Sequence, residues 1–268
     1  MKIETTLPIN NGTELYLVKD TVTRPRAAVV IVHGLCEHQG RYDYVAARLN
    51  AQQLNVYRFD HRGHGRSGGK RVYYDDWKEI SDDVNSAVEL AARENPDLPV
   101  YVVGHSMGGY ATACFATRFP GKAAGIVLSG ALTRYNNPLM GQLPIAAPAD
   151  TYVPNALGDG VCSDPAVGEA YTADPYVEKQ ISVGLMNSLA GGVAYLKENP
   201  ARFTDPVLIL HGQNDGLVSP LDSLQLYAEI ASQDKALRVY AGMCHEIFNE
   251  FDKDEPIGDM IAWLNQRI

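Results

Sequence analysis

The chain has no surplus of positive charge: 23 Lys and Arg stand against 32 Asp and Glu in 268 residues, a formal charge of -9. That argues against nucleic acid as a partner, because phosphates need a basic patch, and against strong attraction to anionic lipid surfaces. Nor does any stretch approach the roughly 20 apolar residues that span a bilayer. The opening MKIETTLPINNG has no apolar leader core, so a soluble, cytoplasmic protein is expected. Cysteine is scarce and dispersed. Cys36, Cys114, Cys162 and Cys244 include no C-x-x-C pair, which argues against a zinc ribbon or dithiol redox site and for free thiols. Internal repeats and low-complexity segments are missing too.

What is present is the composition of a globular protein, 46% hydrophobic and 21% charged. Residues 2 to 8 and 14 to 19 read as strands joined across NNG, a good hairpin turn. Further strand candidates lie at 27–34, 55–61, 100–106, 125–130, 206–212 and 237–242, with helical stretches near 41–53, 76–94, 107–119, 220–232 and 256–267. Such alternation predicts an α/β fold whose mostly parallel sheet is covered on both faces. More than 70 residues between GIVLSG and PVLILHG break the rhythm. The expected organisation is therefore a core of residues 1–131 and 204–268 with an inserted cap at 132–203. Within the cap, Ile181, Leu185, Leu189, Val193 and Leu196 recur at helical spacing and form one apolar face. That face either packs on the sheet domain or serves a lid over the carboxyl ends of the strands, where ligands bind in such folds.

In VYVVGHSMGGY, residues 100–110, an apolar strand breaks off at a lone serine between glycines. Gly104, Ser106 and Gly108 fit G-x-S-x-G, a strand-to-helix elbow that pushes the serine oxygen out of the sheet. A serine nucleophile needs a base and a group to orient that base, following in the order serine, acid, histidine in this fold. Asp215 ends PVLILHGQND and His245 follows LRVYAGMC, so each residue type stands just beyond an apolar strand. The expected triad is Ser106, Asp215 and His245. Backbone N–H groups must also face the developing oxyanion. Met107, after the nucleophile, and Leu35, in the loop after AVVIVHG, are the candidates.

The remaining histidines have plainer readings. His61 and His64 in DHRGHG invite a metal, yet no third ligand stands at suitable spacing, so no metal site is expected. His33, His105 and His211 each adjoin a glycine at a strand end, where a hydrogen-bonded structural role is favoured.

These stretches together resemble one family. HGLCEHQGRY at 33–42, FDHRGHGRSGGKR at 59–71, GHSMGG at 104–109, SDPAVGEAYTADPY at 163–176, LILHGQNDGLVSP at 208–220 and CHEIFNE at 244–250 are similar to the α/β-hydrolases of the monoacylglycerol lipase and lysophospholipase type. The resemblance runs from end to end, cap included. It implies the α/β-hydrolase fold, the triad and oxyanion donors named above, and Glu37 and Arg41 near the polar end of an acyl tunnel. An acid and an arginine four apart can also pair with each other to fix the loop carrying Leu35. One position departs from the pattern: mammalian-type members carry a second histidine three residues after the catalytic one, where this chain has Phe248.

The expected activity is hydrolysis of a monoacylglycerol to fatty acid and glycerol through an acyl-enzyme, with no metal or organic cofactor. Within hydrolases the alternatives are a lysophospholipase or a short-chain carboxylesterase, with an amidase or peptidase behind them. From other classes come an acyltransferase and a non-catalytic ligand-binding relative. The partner expected is a small lipid ester, with transient contact to lipid surfaces.

Overall fold

The computed structural model describes residues 1–156 and 161–268; residues 157–160 of the expected cap lie outside the described residues. In chain order the elements are β1 Lys2–Pro8, β2 Glu14–Asp20, β3 Ala27–Val32, α1 Asp43–Asn50, β4 Leu54–Phe59, α2 Trp77–Glu94, β5 Val100–His105, α3 Met107–Arg118 and β6 Gly125–Ser129. There follow β7 Tyr152–Pro154, α4 Pro165–Ala173, β8 Gln180–Ser182, α5 Val183–Glu198, β9 Val207–Gly212, α6 Pro220–Glu229, β10 Lys235–Tyr240 and α7 Asp254–Asn265. Eight strands form one sheet in the order β1-β2-β4-β3-β5-β6-β9-β10. Only β1 with β2 and β2 with β4 pair antiparallel; all other neighbours are parallel. This is the mostly parallel α/β sheet expected from the strand and helix alternation.

Strands β3, β5 and β6 are buried at every position, as runs covered on both faces must be. Their side chains alternate between two cores. Ala28, Val30 and Val32 join one with Val84, Ala87 and Phe115 of α2 and α3, whereas Val29 and Ile31 join the other with Leu49 of α1 and Ile257 and Leu264 of α7.

Several boundaries differ from the sequence reading for local reasons. Strands β3 and β4 end two residues early, because His33–Gly34 and Asp60–His61 turn off the sheet into hydrogen-bonded loops. The helix expected from about residue 41 begins at Asp43, preceded by a 3₁₀ turn, Gln39–Tyr42, that carries Arg41. Ile181 is not on the cap helix: it lies in β8 opposite Val153. Ser182 then caps α5, accepting a hydrogen bond from the Leu185 N–H at 3.0 Å. The α5 face packs on α3, where a Cβ at Gly192 would come within 1.9 Å of the Tyr110 hydroxyl.

Candidate active site

Ser106 stands between β5 and α3 with φ 55° and ψ -118°, a backbone state that side chains rarely adopt. The flanking glycines make the elbow possible. A Cβ at Gly104 would sit 2.4 Å from the Gly108 carbonyl oxygen, and one at Gly108 only 2.1 Å from that of Val32. The Ser106 N–H donates to Ser129 O at 2.8 Å, tying the turn to β6.

Asp215 and His245 come from the loops after β9 and β10. Asp215 Oδ2 lies 2.7 Å from His245 Nδ1, while Oδ1 accepts the N–H groups of Leu217 and Val218, each at 2.9 Å. Nδ1 therefore carries its hydrogen toward the acid, and Nε2 is left to accept a proton. Ser106 and His245 line one cavity of about 30 Å³ without a hydrogen bond between Oγ and Nε2 among the described residues. Such contacts commonly tighten only when substrate is in place. Burial works against a charged His245, but the Asp215 carboxylate and its hydrogen bond, with Glu246 and Glu37 beyond, outweigh it and raise the imidazole pKa. For Asp215, burial favours the neutral acid, but the charge of His245 and hydrogen bonds from His211 and His245 dominate and hold it well below the usual carboxylate range.

Leu35 lines the same cavity. No backbone or side-chain acceptor takes the Leu35 or Met107 N–H among the described residues, as an oxyanion site requires. The loop is fixed from both sides: Gly34 N–H donates to Glu37 Oε1 at 2.5 Å, and Gly34 O faces His33 Nδ1 at 2.8 Å.

Arg41 binds Glu37 Oε2 at 2.6 Å, as the four-residue spacing suggested, and also grips Glu246. Its guanidinium stacks 5.1 Å from the Tyr171 ring of α4. Phe248 lies beside Glu37, Arg41 and His105 in a small adjoining cavity, so the residue that departs from the family pattern does face this polar end. A larger cavity, about 440 Å³, is lined almost wholly by apolar side chains of the 132–203 segment, including Ile145, Ile181 and Met186. Leu217 borders both it and the Ser106 cavity.

A family model described as serine aminopeptidase, S33, matches residues 23–252. A monoacylglycerol lipase of Mycolicibacterium smegmatis is 39% identical over 253 residues, covering 90% of this chain and 89% of that protein. The chain belongs to this family. It is an α/β-hydrolase of the monoacylglycerol lipase group. Human monoglyceride lipase is 30% identical, covering 91% of this chain and 84% of its own length. Among solved structures, monoacylglycerol lipase from Paleococcus ferrophilus superposes with a TM-score of 0.83 at 29% identity, covering 95% of this chain and all of that one. A soluble variant of monoglyceride lipase from Saccharomyces cerevisiae, in complex with a substrate analog, reaches 0.87 at 25% identity, covering 98% and 96%.

Leu35, Glu37, Arg41, Ser106 and His245 thus line one small cavity at the carboxyl ends of the strands, with Asp215 reaching it through His245 and Met107 following Ser106 in the chain. Sequence reasoning passed over Glu246, although it directly follows His245; His211, read as a hydrogen-bonded structural histidine, is buried with its ring at Ser223 and Val218. Sequence reasoning also passed over Glu250, a buried acid that accepts from the Cys244 N–H at 2.8 Å and from Ser163. His33, His61 and His64 cluster next to the loop that carries Leu35, with the backbone N–H of His61 donating to His33 Nε2 at 2.9 Å. Among the described residues no group of three or more His, Cys, Asp or Glu is placed to hold a metal ion, and no helix is long and apolar enough to cross a membrane.

Proposed function

We propose that this chain hydrolyses monoacylglycerols to fatty acid and glycerol through an acyl-enzyme on Ser106. The observation that carries the reading is a large apolar cavity that shares Leu217 with the small cavity lined by Ser106, His245, Glu37 and Arg41. An apolar chain with a neutral polar head fits that pair. In this reading residues 132–203 are the cap that walls the acyl chain, on a core of 1–131 and 204–268.

Ser106 Oγ attacks the ester carbonyl carbon as His245 Nε2 takes its proton, and the carbonyl electrons move to the oxygen facing the Leu35 and Met107 N–H groups. Collapse of this adduct expels glycerol, which receives the proton from His245. Water, deprotonated by the same nitrogen, then attacks the acyl carbon and releases the acid and Ser106. Asp215 holds the imidazole tautomer throughout. Glu37 and Arg41 border the head-group end and offer it polar contacts.

Two features favour a neutral alcohol over the rival head groups. Binding a peptide ammonium, as an aminopeptidase does, calls for an uncommitted carboxylate. Here Glu37 is taken by Gly34, Tyr42 and Arg41, and Glu246 by Arg41 and Asn249. Those two acids with one guanidinium also leave the polar end negative, which works against a phosphate-bearing head. Four free thiols suit a reducing compartment, consistent with a cytoplasmic enzyme.

The test is kcat/KM of wild type and Ser106→Ala on a long-chain monoacylglycerol, the matching lysophosphatidylcholine and a short p-nitrophenyl ester. Fastest turnover of the monoacylglycerol, lost in the variant, supports the reading. Turnover of the short ester alone overturns the substrate assignment and leaves a carboxylesterase.

A further inference from the structure

His211, in β9, is fully buried, and its ring reaches the candidate catalytic acid. Nε2 lies 3.0 Å from Asp215 Oδ2 and 3.0 Å from the Val218 carbonyl oxygen. Nδ1 lies 2.7 Å from the Ser223 hydroxyl of α6. An ionised carboxylate and a carbonyl can only accept, so Nε2 must carry the ring hydrogen. Nδ1 then accepts from Ser223, and a single neutral tautomer satisfies the whole set.

The oxygen that His211 contacts is the one that faces His245. Oδ2 therefore faces two ring nitrogens, the Nε2 hydrogen of His211 being shared between it and the Val218 carbonyl, while Oδ1 accepts two backbone N–H groups. The turn that supplies Ser223 has a second task. Its neighbour Asp222 accepts the N–H groups of Thr133, Arg134 and Tyr135, where the chain leaves β6 for the cap segment.

We propose that His211 is a positioning residue for catalysis: it pins Asp215 Oδ2 against His245 and, by sharing that oxygen's charge, limits how strongly the acid holds the imidazolium. Ser223 sets the tautomer that lets it do so. This inference rests on the triad of the proposed function but not on the identity of its substrate. Without the His211 donor, Oδ2 becomes more basic and swivels more freely. The other groups around His245 stay as they are: Glu246, Glu37 and the His105 ring 4.7 Å away. The imidazole then gives up its proton only at higher pH.

The experiment compares wild type, His211→Leu, His211→Gln and Ser223→Ala on a short p-nitrophenyl ester, recording kcat, KM, the pH profile and the melting temperature. For His211→Leu we expect kcat to fall about 10- to 100-fold, the loss of one hydrogen bond to a charged group, with KM little changed. The acidic limb of kcat/KM should move to higher pH, a change that loosened packing alone does not produce. Glutamine restores an N–H donor and should return kcat to within about threefold of wild type. A folded His211→Leu enzyme with wild-type kcat and an unmoved limb overturns the proposal. If the leucine variant does not fold, full activity and an unmoved limb in Ser223→Ala overturn it equally. Failure of wild type to cleave monoacylglycerol while it cleaves the short ester defeats only the substrate assignment. Failure of a fluorophosphonate to label Ser106 defeats the triad, and His211 with it.

Discussion

Arg41 and Glu246 meet in a two-pronged ion pair, Nη1 2.8 Å from Oε1 and Nη2 2.7 Å from Oε2. The same Nη1 lies 2.6 Å from Glu37 Oε2, so one guanidinium bridges acids from the loop after β3 and from the residue after His245. Arg41→Met leaves two buried carboxylates without a cation. Breaking a buried pair from one side costs about 3–5 kcal/mol, and that loss is expected in the urea unfolding midpoint at pH 7. Lysine should not rescue it, since an ammonium cannot reach three oxygens as a planar fork does.

The strained elbow predicts an uncommon pair of results at the nucleophile. Ser106 has φ 55°, and a non-glycine residue held in such a region costs about 1–3 kcal/mol. Ser106→Ala removes the nucleophile and keeps the strain. Ser106→Gly removes both, although glycine adds about 0.4–1 kcal/mol of unfolded-chain freedom. Both variants are expected to be inactive, with the glycine variant melting higher than the alanine variant. Equal or lower melting of the glycine variant would mean that the strain at Ser106 does not exceed that unfolded-chain cost.

Activity should be lost on the acid side at a pH above the ordinary histidine value. His245 must be neutral to accept the serine proton, and its pKa is raised above 6.5 because Asp215, with Glu246 and Glu37 behind it, outweighs the burial that disfavours the cation. The acidic limb of kcat/KM is therefore expected above pH 6.5. In Glu246→Gln, which removes one of those charges, the limb should move down toward that value. A limb below 6.5 in wild type contradicts the electrostatic account.

That Ser106, Asp215 and His245 come close together was legible because each follows an apolar, β-branched run, and local rules suffice to see that. The partnership of Arg41 with Glu246 was not. It spans 205 positions and follows from where the loop after β10 meets the loop after β3, which no periodicity records. Strands β7 and β8 have three residues each, too few for alternation to show. Helix α4 buries only Tyr171 and so has no apolar stripe. Its start was nonetheless written locally, as Asp164 caps Ala166 just before Pro165. His211 looked structural because its partner Asp215 lies in the loop beyond its own strand, and only the turn after Gly212 folds that acid back onto the ring.

Four histidines predict the stability profile in mild acid. Burial lowers the pKa of His33, His61, His64 and His105, to about 4 for the last two. The unfolded chain takes these protons near pH 6.5 and the native chain does not, so the native state loses stability as pH falls from 6.5 toward 4. Raised values at His245 and at buried Asp83 oppose that slope. At pH 5 the cost for His64 is about 2 kcal/mol. His64→Leu gives up one hydrogen bond to Arg62 O at every pH, but its urea midpoint should fall less between pH 7.5 and pH 5 than that of wild type. Parallel falls in the two proteins would mean that His64 is protonated in the native state.

The apolar cavity makes the sharpest prediction about substrate. Met186 on α5 lines it and is 3% exposed, so a larger side chain there must grow into the cavity or displace the helix from α3. Met186→Trp should leave the Ser106 cavity untouched, because the residue does not border it. Each methylene kept out of an apolar site costs about 0.8 kcal/mol, or roughly fourfold in kcat/KM. A tryptophan that excludes the end of a long chain should lower kcat/KM for long-chain monoacylglycerols by one to two orders of magnitude and leave a short ester unaffected. The preference would then shift toward shorter acyl groups in steps that match the methylene count. An equal loss on long and short esters would instead mean that α5 has moved and the site is distorted. No change on either would place the acyl chain elsewhere, with the pocket bordered by Leu132, Tyr135 and Leu143 the next to fill.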